Sequence, residues 1–374
     1  MFLPLIKPIL RIVLSILSVI LYLFTILSAF GGRFDTAIFT FPAVLTLVLP
    51  VFATATLVVT ILWFVFRRII MGALGVLTLL ACWSPITTVS PLSTSKKADP
   101  DSKTFTVMTW NIHHGEDQEL KDYTGPNRTI HYIIHSGADI VCLQELKRIN
   151  HNEIPGYSLA MRDSLRKIYP YWAGNDRLDM KVLSKYPVVY NNNYNYIDGT
   201  TKGPTLYSFF KVMIGDRAVN LVNLHLSSFD LSGSERQVVS RMSSVNGAKW
   251  SMEKMKSNVW KKLRSGFSRR KKVAAALRKD INTVSGPMII TGDFNDVPES
   301  YAYRLLRGTD LKDAYVETGF GPMVTFNQNM FWFHLDQVLY RGPLKALNVH
   351  RGSIKSSDHY PVFAKFELLP KEED

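Results

Sequence analysis

Three long stretches without a charged side chain occupy the first ninety residues, and they set the architecture of the whole chain. Ile12 to Phe30 is 19 uncharged residues, Thr36 to Phe66 is 31, and after Arg67-Arg68 a third run holds from Ile69 to Trp83. A bilayer core of ~30 Å takes about 20 apolar helical residues, because backbone polar groups inside it must be satisfied within the helix itself. The first two runs are long enough; the third spans if it continues through Pro85 to Val89. Pro42 suits a helix start, whereas Pro50 is expected to kink the second span. The first run exceeds the ~7–15 apolar residues of a cleaved signal peptide, and two more follow it. It is therefore expected to remain as an anchor.

Lys7, Arg11, Arg67 and Arg68 fall on one side of three such spans and Arg33 on the other. Basic loops stay in the cytoplasm, so the chain is expected to be a multi-pass protein of the cell membrane. Everything after Ser90 then lies outside the cytoplasm, in the periplasm if the cell has one. Residues 1–90 form this membrane region. Residues 91–103, rich in Pro, Ser, Lys and Asp, read as a linker, and residues 104–370 as a water-soluble domain. Only two cysteines occur, Cys82 and Cys142, which excludes a disulfide framework and a cysteine-based zinc ribbon.

From Thr104 onward, short β-rich runs alternate with helical ones. The expected strands are Phe105–Trp110, Ile140–Leu143, Lys181–Leu183, Leu206–Ile214, Ala218–Leu226, Met288–Thr291, His334–Tyr340 and Val362–Glu367. Arg128–Ser136 and Lys261–Ile281 read as helices. This order implies a layered α/β domain, in which sites form where strand ends gather at one rim. Polar residues stand at six such ends: Asn111, Glu145, His225, Asp293 with Asn295, Asp336, and Asp358 with His359. Any one of them has an ordinary use as a turn cap. Six together point to a site.

The succession TWNIHHG, CLQEL, LVNLHLS, TGDFND, HLDQVLY and SDHYPV resembles the endonuclease/exonuclease/phosphatase superfamily over roughly residues 104–368. GDFN and SDH with an upstream QE are specific for that superfamily and say little about substrate. The resemblance implies a four-layered, DNase I-like α/β sandwich preceded by an α-helical transmembrane region, and the layout is similar to bacterial proteins with three N-terminal spans. It also implies hydrolysis of a phosphoester with Mg²⁺, Mn²⁺ being an alternative, since a hard cation with oxygen ligands neutralises the phosphate. Glu145 is the expected metal ligand, with Asn111 and Asp358 completing or supporting the shell.

The same resemblance gives Asp293 the role of orienting or deprotonating the attacking water, and Asn295 a hydrogen bond to the phosphoryl oxygens. His225 and His359 become donors to the developing charge, either one able to protonate the leaving group, and Asp336 the partner that holds the His359 tautomer. A second metal at Asp293 and Asn295 stays open. Where the family often has Arg-x-Asp-Tyr, this chain has His334-Leu335-Asp336-Gln337, so contacts there differ. The segment Asp179-Met180-Lys181 also lacks a small residue common in the family. His113 and His114 are read as surface residues.

A helical insertion is expected at about 230–281. Its segment Gly247–Lys279 carries twelve Lys/Arg and one acid, Glu253, with Trp250, Met252, Met255, Val259, Trp260 and Leu263 interspersed. A solvated helical face is the ordinary reading. Contact with anionic lipid headgroups is preferred to contact with a nucleic-acid backbone, because the chain is already tethered to a bilayer. Nothing in the sequence points to a protein partner. The combined reading is a membrane-anchored, Mg²⁺-dependent phosphodiesterase. Nucleic acid is the first substrate, a phospholipid or sphingolipid headgroup a close second, and a phosphomonoester third. The rival is a binding module that uses the same cleft without turnover.

Overall fold

The computed structural model describes residues 3–36, 38–117, 119, 125–146, 154–174, 179–197, 205–229, 259–328 and 331–370. Most of the proposed insertion, 230–258, lies outside them. The apolar N-terminal runs become helices α1 (Leu3–Phe30), α2 (Thr40–Thr46), α3 (Leu49–Val65), α4 (Ile69–Ala81) and α5 (Trp83–Val89). Among the described residues one helix, Pro8–Arg33, is long and apolar enough to cross a membrane; α2 with α3 and α4 with α5 qualify only as bent pairs, broken by 69° and 62°. Pro42 and Pro50 both sit in first turns, where a missing N–H costs nothing. The break therefore falls before Pro50, at Leu47–Val48.

Polar side chains link these helices to one another. Thr25 and Thr56 share a 2.7 Å hydroxyl contact, and the Trp63 indole donates to Ser18 Oγ at 2.9 Å. Such bonds and small residues are what hold helices together where no hydrophobic gradient separates them from their surroundings.

The remaining chain forms two six-stranded mixed sheets. One runs β13-β14-β1-β2-β4-β3 and the other β5-β6-β7-β8-β12-β9. The first contains β1 (Thr104–Asn111), β2 (Ile140–Gln144), β3 (Tyr171–Ala173), β4 (Lys181–Ser184), β13 (Leu344–Arg351) and β14 (Val362–Leu368). The second contains β5 (Val188–Ile197), β6 (Thr205–Ile214), β7 (Arg217–His225), β8 (Met288–Asp293), β9 (Lys312–Asp313) and β12 (Asp336–Arg341). A short hairpin, β10 (Phe326–Gln328) with β11 (Phe331–Phe333), stands apart. Within each sheet one pair is parallel, β1 with β2 and β7 with β8.

The two-residue period of a strand sorts its side chains into layers. Ile140 and Cys142 of β2 join Phe105 and Val107 in the central core, facing Val219, Leu221 and Ile289 of the other sheet. Val141 and Leu143 point the opposite way, onto α6 (Arg128–His135) and α7 (Leu159–Ile168). Val222, Leu224 and Ile290 pack outward on α8 (Trp260–Thr283) and α9 (Tyr301–Arg307). Helices, sheet, sheet and helices make the four-layered, DNase I-like α/β sandwich. A short helix, α10 (Ala314–Thr318), adjoins β9.

The 91–103 segment lies along the domain. Ser93 N–H donates to Gly319, Lys96 N–H to Leu347, and Lys96 Nζ reaches Glu317 at 2.9 Å. The basic stretch, where described, is helix α8, and only part of it is a solvated face. Phe267, Val273, Ala274, Leu277 and Ile281 bury its apolar stripe, and Arg270 is buried with them.

Candidate active site

The parallel pairs end side by side at one rim of the sandwich, and their last residues are polar. His225, at the end of β7, is in register with Asp293, at the end of β8. Asp336 opens β12 directly opposite Asp293. Asn111 closes β1, and Glu145 follows β2. Gly292 makes this convergence possible: with φ +141, a Cβ there would lie 1.9 Å from the Leu224 carbonyl oxygen. No other residue lets β8 approach β7 so closely.

Asn111 is at the centre. Its Nδ2 donates to Glu145 Oε1 at 2.9 Å and to Asp293 Oδ2 at 3.1 Å, and its Oδ1 accepts the His113 N–H. Asn295 N–H donates to Asp293 Oδ1 at 2.7 Å, while Asn295 Nδ2 donates to the Leu226 carbonyl at 2.7 Å. His225 Nε2 stands 3.6 Å from Glu145 Oε1 and 3.7 Å from Asp293 Oδ2. His359 Nε2 is 3.6 Å from the same Asp293 oxygen, and its Nδ1 is 2.9 Å from Asp336 Oδ2. Seven of the eight expected residues thus form one contact network. The eighth, Asp358, is half-buried at the rim, next to Ser357, whose hydroxyl donates to the Asn111 carbonyl.

Burial opposes charge on His359, but the Asp336 and Asp293 carboxylates outweigh it and push the imidazole up to about 10. Asp293 is raised, chiefly by burial, although His359 and His225 pull against that. Burial also works to raise Glu145, yet His225, Asn111, His113 and His359 together hold it below its ordinary value. These contacts favour the charged form of Glu145, and its side chain keeps a quarter of its surface open to solvent. Glu145 and Asn295 also have left-handed backbones, φ +56 and +49, a conformation that non-glycine residues adopt at a cost and that gathers at working sites.

The donors suit a hard divalent cation. Glu145 offers a charged oxygen on an open face, and the Asn111 amide bridges it to Asp293. Asp293, Asp336 and His359 also bring one ligand atom each within 4.8 Å. In that group the His359 ring lies between the two aspartates and, protonated, offsets one negative charge, so it reads first as an ion-paired triad.

Sequence reasoning missed the polar layer beneath the site. Gln144 Nε2 donates to Asn223 Oδ1 at 2.7 Å and to Thr109 Oγ1 at 3.0 Å. Asn223 Nδ2 donates in turn to the Leu143 and Lys181 carbonyls. This layer ties the two sheets together just under Asn111 and His225. Its signal was present as Gln and Asn on inward positions of otherwise apolar strands. It also missed Arg270, whose Nε meets Asp296 Oδ2 at 3.0 Å one residue beyond Asn295. His334 and Gln337, which replace the common family residues, are buried, and Gln337 Nε2 donates to the His334 carbonyl. His114 approaches Glu145 at 4.0 Å.

The description "Endonuclease/Exonuclease/phosphatase family" matches residues 108–359, a span that includes every residue of this network. The chain belongs to that family. Its members are hydrolases that act on phosphoester bonds. No curated protein matches this sequence. Similar solved structures include truncated Caenorhabditis elegans TDP2, 19% identical, covering 71% of this chain and 98% of that chain with a TM-score of 0.44. ANGEL2, a 2′,3′-cyclic phosphatase in complex with adenosine-2′,3′-vanadate, is 17% identical over 73% of this chain and 99% of that one, with a TM-score of 0.44. An endonuclease/exonuclease/phosphatase from Bacteroides vulgatus is 17% identical over 71% and 99%, also with a TM-score of 0.44.

Proposed function

We propose that this family member is a divalent-metal-dependent phosphodiesterase, anchored in a membrane by its N-terminal helices with the catalytic domain outside the cytoplasm. One observation carries the catalytic part: two histidines approach the same oxygen of Asp293, at 3.7 and 3.6 Å, beside an ionised Glu145. Two imidazoles and two carboxylates then surround a space open at the Glu145 side.

Glu145 would hold Mg²⁺, or Mn²⁺ in its place, with Asn111 and Asp358 in support. When bound, the cation supplies charge neutralisation at the phosphate. Asp293 directs a water in line with the leaving oxygen and takes its proton, a task helped by its raised affinity for one. Asn295 is fixed by its bonds to Leu226 and Asp293, ready to orient a phosphoryl oxygen. His359, kept protonated by Asp336, donates to the charge that builds on the phosphoryl group. His225 is the second donor.

The multi-pass reading takes each bent pair, α2 with α3 and α4 with α5, as one broken span. With three spans, the turn at 31–39 and the catalytic domain lie on one side and Arg67-Arg68 on the other. Contact between that turn and the domain favours this arrangement. Lys271 Nζ of α8 meets Asp35 at 2.5 Å. Residues 1–90 and 104–370 then serve as anchor and enzyme, joined by 91–103. The exposed Lys261, Arg264 and Lys272 of α8 would meet anionic headgroups, each contributing on the order of 1 kcal/mol.

The test is turnover of the full chain in detergent micelles on bis-p-nitrophenyl phosphate, p-nitrophenyl phosphate and plasmid DNA, with Mg²⁺ or with chelator. Metal-dependent cleavage of a diester in preference to the monoester is expected. Exclusive monoester cleavage would make the chain a phosphatase. No turnover of any member by a folded, Mg²⁺-binding chain would favour the binding-module rival.

A further inference from the structure

The catalytic rim is attached to the membrane region on two sides. On the first, the loop leaving β8 carries Asp293 and Asn295 and reaches the turn between α1 and α2 only a few residues later. A Cβ at Gly32 would lie 1.8 Å from the Glu299 carbonyl oxygen, so the turn and the loop touch backbone to backbone. Glu299 is itself left-handed, φ +70, buried and paired with Arg304 at 2.6 Å. Ser300 caps α9. The loop is therefore rigid where the membrane turn meets it, and the Lys271–Asp35 pair closes the same contact from α8.

On the second side, the strand emerging from α5 bonds to the segment before β10. Gly321 N–H donates to the Pro91 carbonyl at 2.8 Å, and Leu92 bridges Phe320. Four residues further on, Thr325 Oγ1 accepts the Asp336 N–H and the Phe326 ring lies 4.9 Å from the His359 ring. Each attachment thus stands four residues along the chain from a residue at the cleft, Glu299 from Asn295 and Gly321 from Thr325. Large apolar side chains are exposed beside them: Phe320 is 74% exposed, Ile38 70% and Phe39 49%. Aromatic and apolar side chains at the end of a membrane-spanning region are suited to the boundary between headgroups and acyl chains.

We propose that residues 31–36, with Ile38 and Phe39, form a docking clamp that holds the mouth of the site against the bilayer surface, and that the substrate is the phosphodiester of a membrane lipid headgroup. This rests on the phosphodiesterase reading above and narrows it. A domain on a free tether samples bulk solution, whereas one pinned beside its cleft meets lipid phosphodiesters at high effective concentration. In the reaction the oxygen of water bonds to phosphorus and one ester P–O bond breaks. The departing oxygen takes a proton, and an alcohol and a phosphomonoester remain.

The experiment uses the full chain in vesicles of phosphatidylethanolamine, phosphatidylglycerol and sphingomyelin with Mg²⁺. Lipid products are followed by phosphorus NMR and mass spectrometry, beside bis-p-nitrophenyl phosphate and a single-stranded oligonucleotide in solution. Hydrolysis of at least one lipid is expected, faster than that of the oligonucleotide. Gly32→Val should lower lipid turnover about tenfold or more by forcing clamp and loop apart, with bis-p-nitrophenyl phosphate turnover unchanged. Cleavage of bis-p-nitrophenyl phosphate and the oligonucleotide with all three lipids intact would overturn the lipid assignment and leave the phosphodiesterase standing. Failure on bis-p-nitrophenyl phosphate as well would remove both. A fluorophore on Phe320→Cys gives a second readout if Gly32→Val does not fold. Quenching by spin-labelled lipid is expected, and its absence would overturn the clamp.

Discussion

Replacing Arg270 by methionine removes a charge that the fold has buried completely. The Arg270 Nε meets Asp296 Oδ2 at 3.0 Å, Nη1 donates to the Ser227 carbonyl, and the guanidinium lies 4.0 Å from the Phe229 ring. Burial pulls the Arg270 affinity for its proton down and pushes that of Asp296 up, each against the pull of the other. Both directions show that mutual attraction does not fully repay desolvation. Methionine keeps the apolar stem and leaves Asp296 buried with the Val297 N–H and Ser300 for company. Stranding one partner of a buried pair costs about 3–5 kcal/mol. Against a total of roughly 5–15 kcal/mol, that lowers the unfolding midpoint on the order of 10 °C. The assay is thermal unfolding of the full chain in detergent, followed by circular dichroism. Arg270→Met with Asp296→Leu should recover most of the loss, because no charge is then left without a partner. A single variant within about 1 kcal/mol of the parent, or a double variant as unstable as the two losses added, would refute the reasoning.

Other consequences follow from single groups. Asp336→Asn should lower turnover about a hundredfold or more, as His359 loses the carboxylate that keeps it charged; a kcat within a few-fold of the parent would separate His359 from the chemistry. His334 is buried, and burial lowers it to about 4 against the pull of Asp336. Its unfolded form takes a proton below about 6.5 and the folded form only near 4, so stability present above pH 6.5 is lost as pH falls between them, by roughly 3 kcal/mol. His334→Met should flatten that dependence between pH 7 and 5 without lowering stability at pH 7, which unfolding midpoints at the two pH values will show. Gly292→Ala should impair folding or abolish turnover, since its Cβ meets the Leu224 carbonyl; a folded, fully active variant would contradict the close strand approach.

The strands that the sequence revealed are those buried on both faces or alternating cleanly, such as Ile140–Gln144 and Met288–Asp293. Val188–Ile197 escaped because its Tyr- and Asn-rich pattern resembles a loop, and Leu344–Arg351 because Lys345, Asn348 and Arg351 interrupt it. His334 was expected to open a strand that begins at Asp336, because Thr325 takes the Leu335 and Asp336 N–H groups. The candidate site was legible for a physical reason: its polar side chains stand where strands stop, directly after apolar runs. Less legible were groups whose meaning lies in tertiary contact. Arg270 belongs by sequence to a run of basic residues, and only folding shows that it turns inward while Lys272 stays exposed. Gly31-Gly32 follow the first apolar run without a motif of their own, and their use as a contact surface depends on a loop nearly 270 residues away.

The most direct test compares kcat/KM of the full chain on bis-p-nitrophenyl phosphate, across a Mg²⁺ titration, with Glu145→Gln and His359→Ala. The account predicts turnover that rises with Mg²⁺ in the parent. Glu145→Gln should show no rise, and His359→Ala should retain Mg²⁺ binding but lose turnover by about a hundredfold or more. Unchanged Mg²⁺-dependent turnover in Glu145→Gln would contradict it.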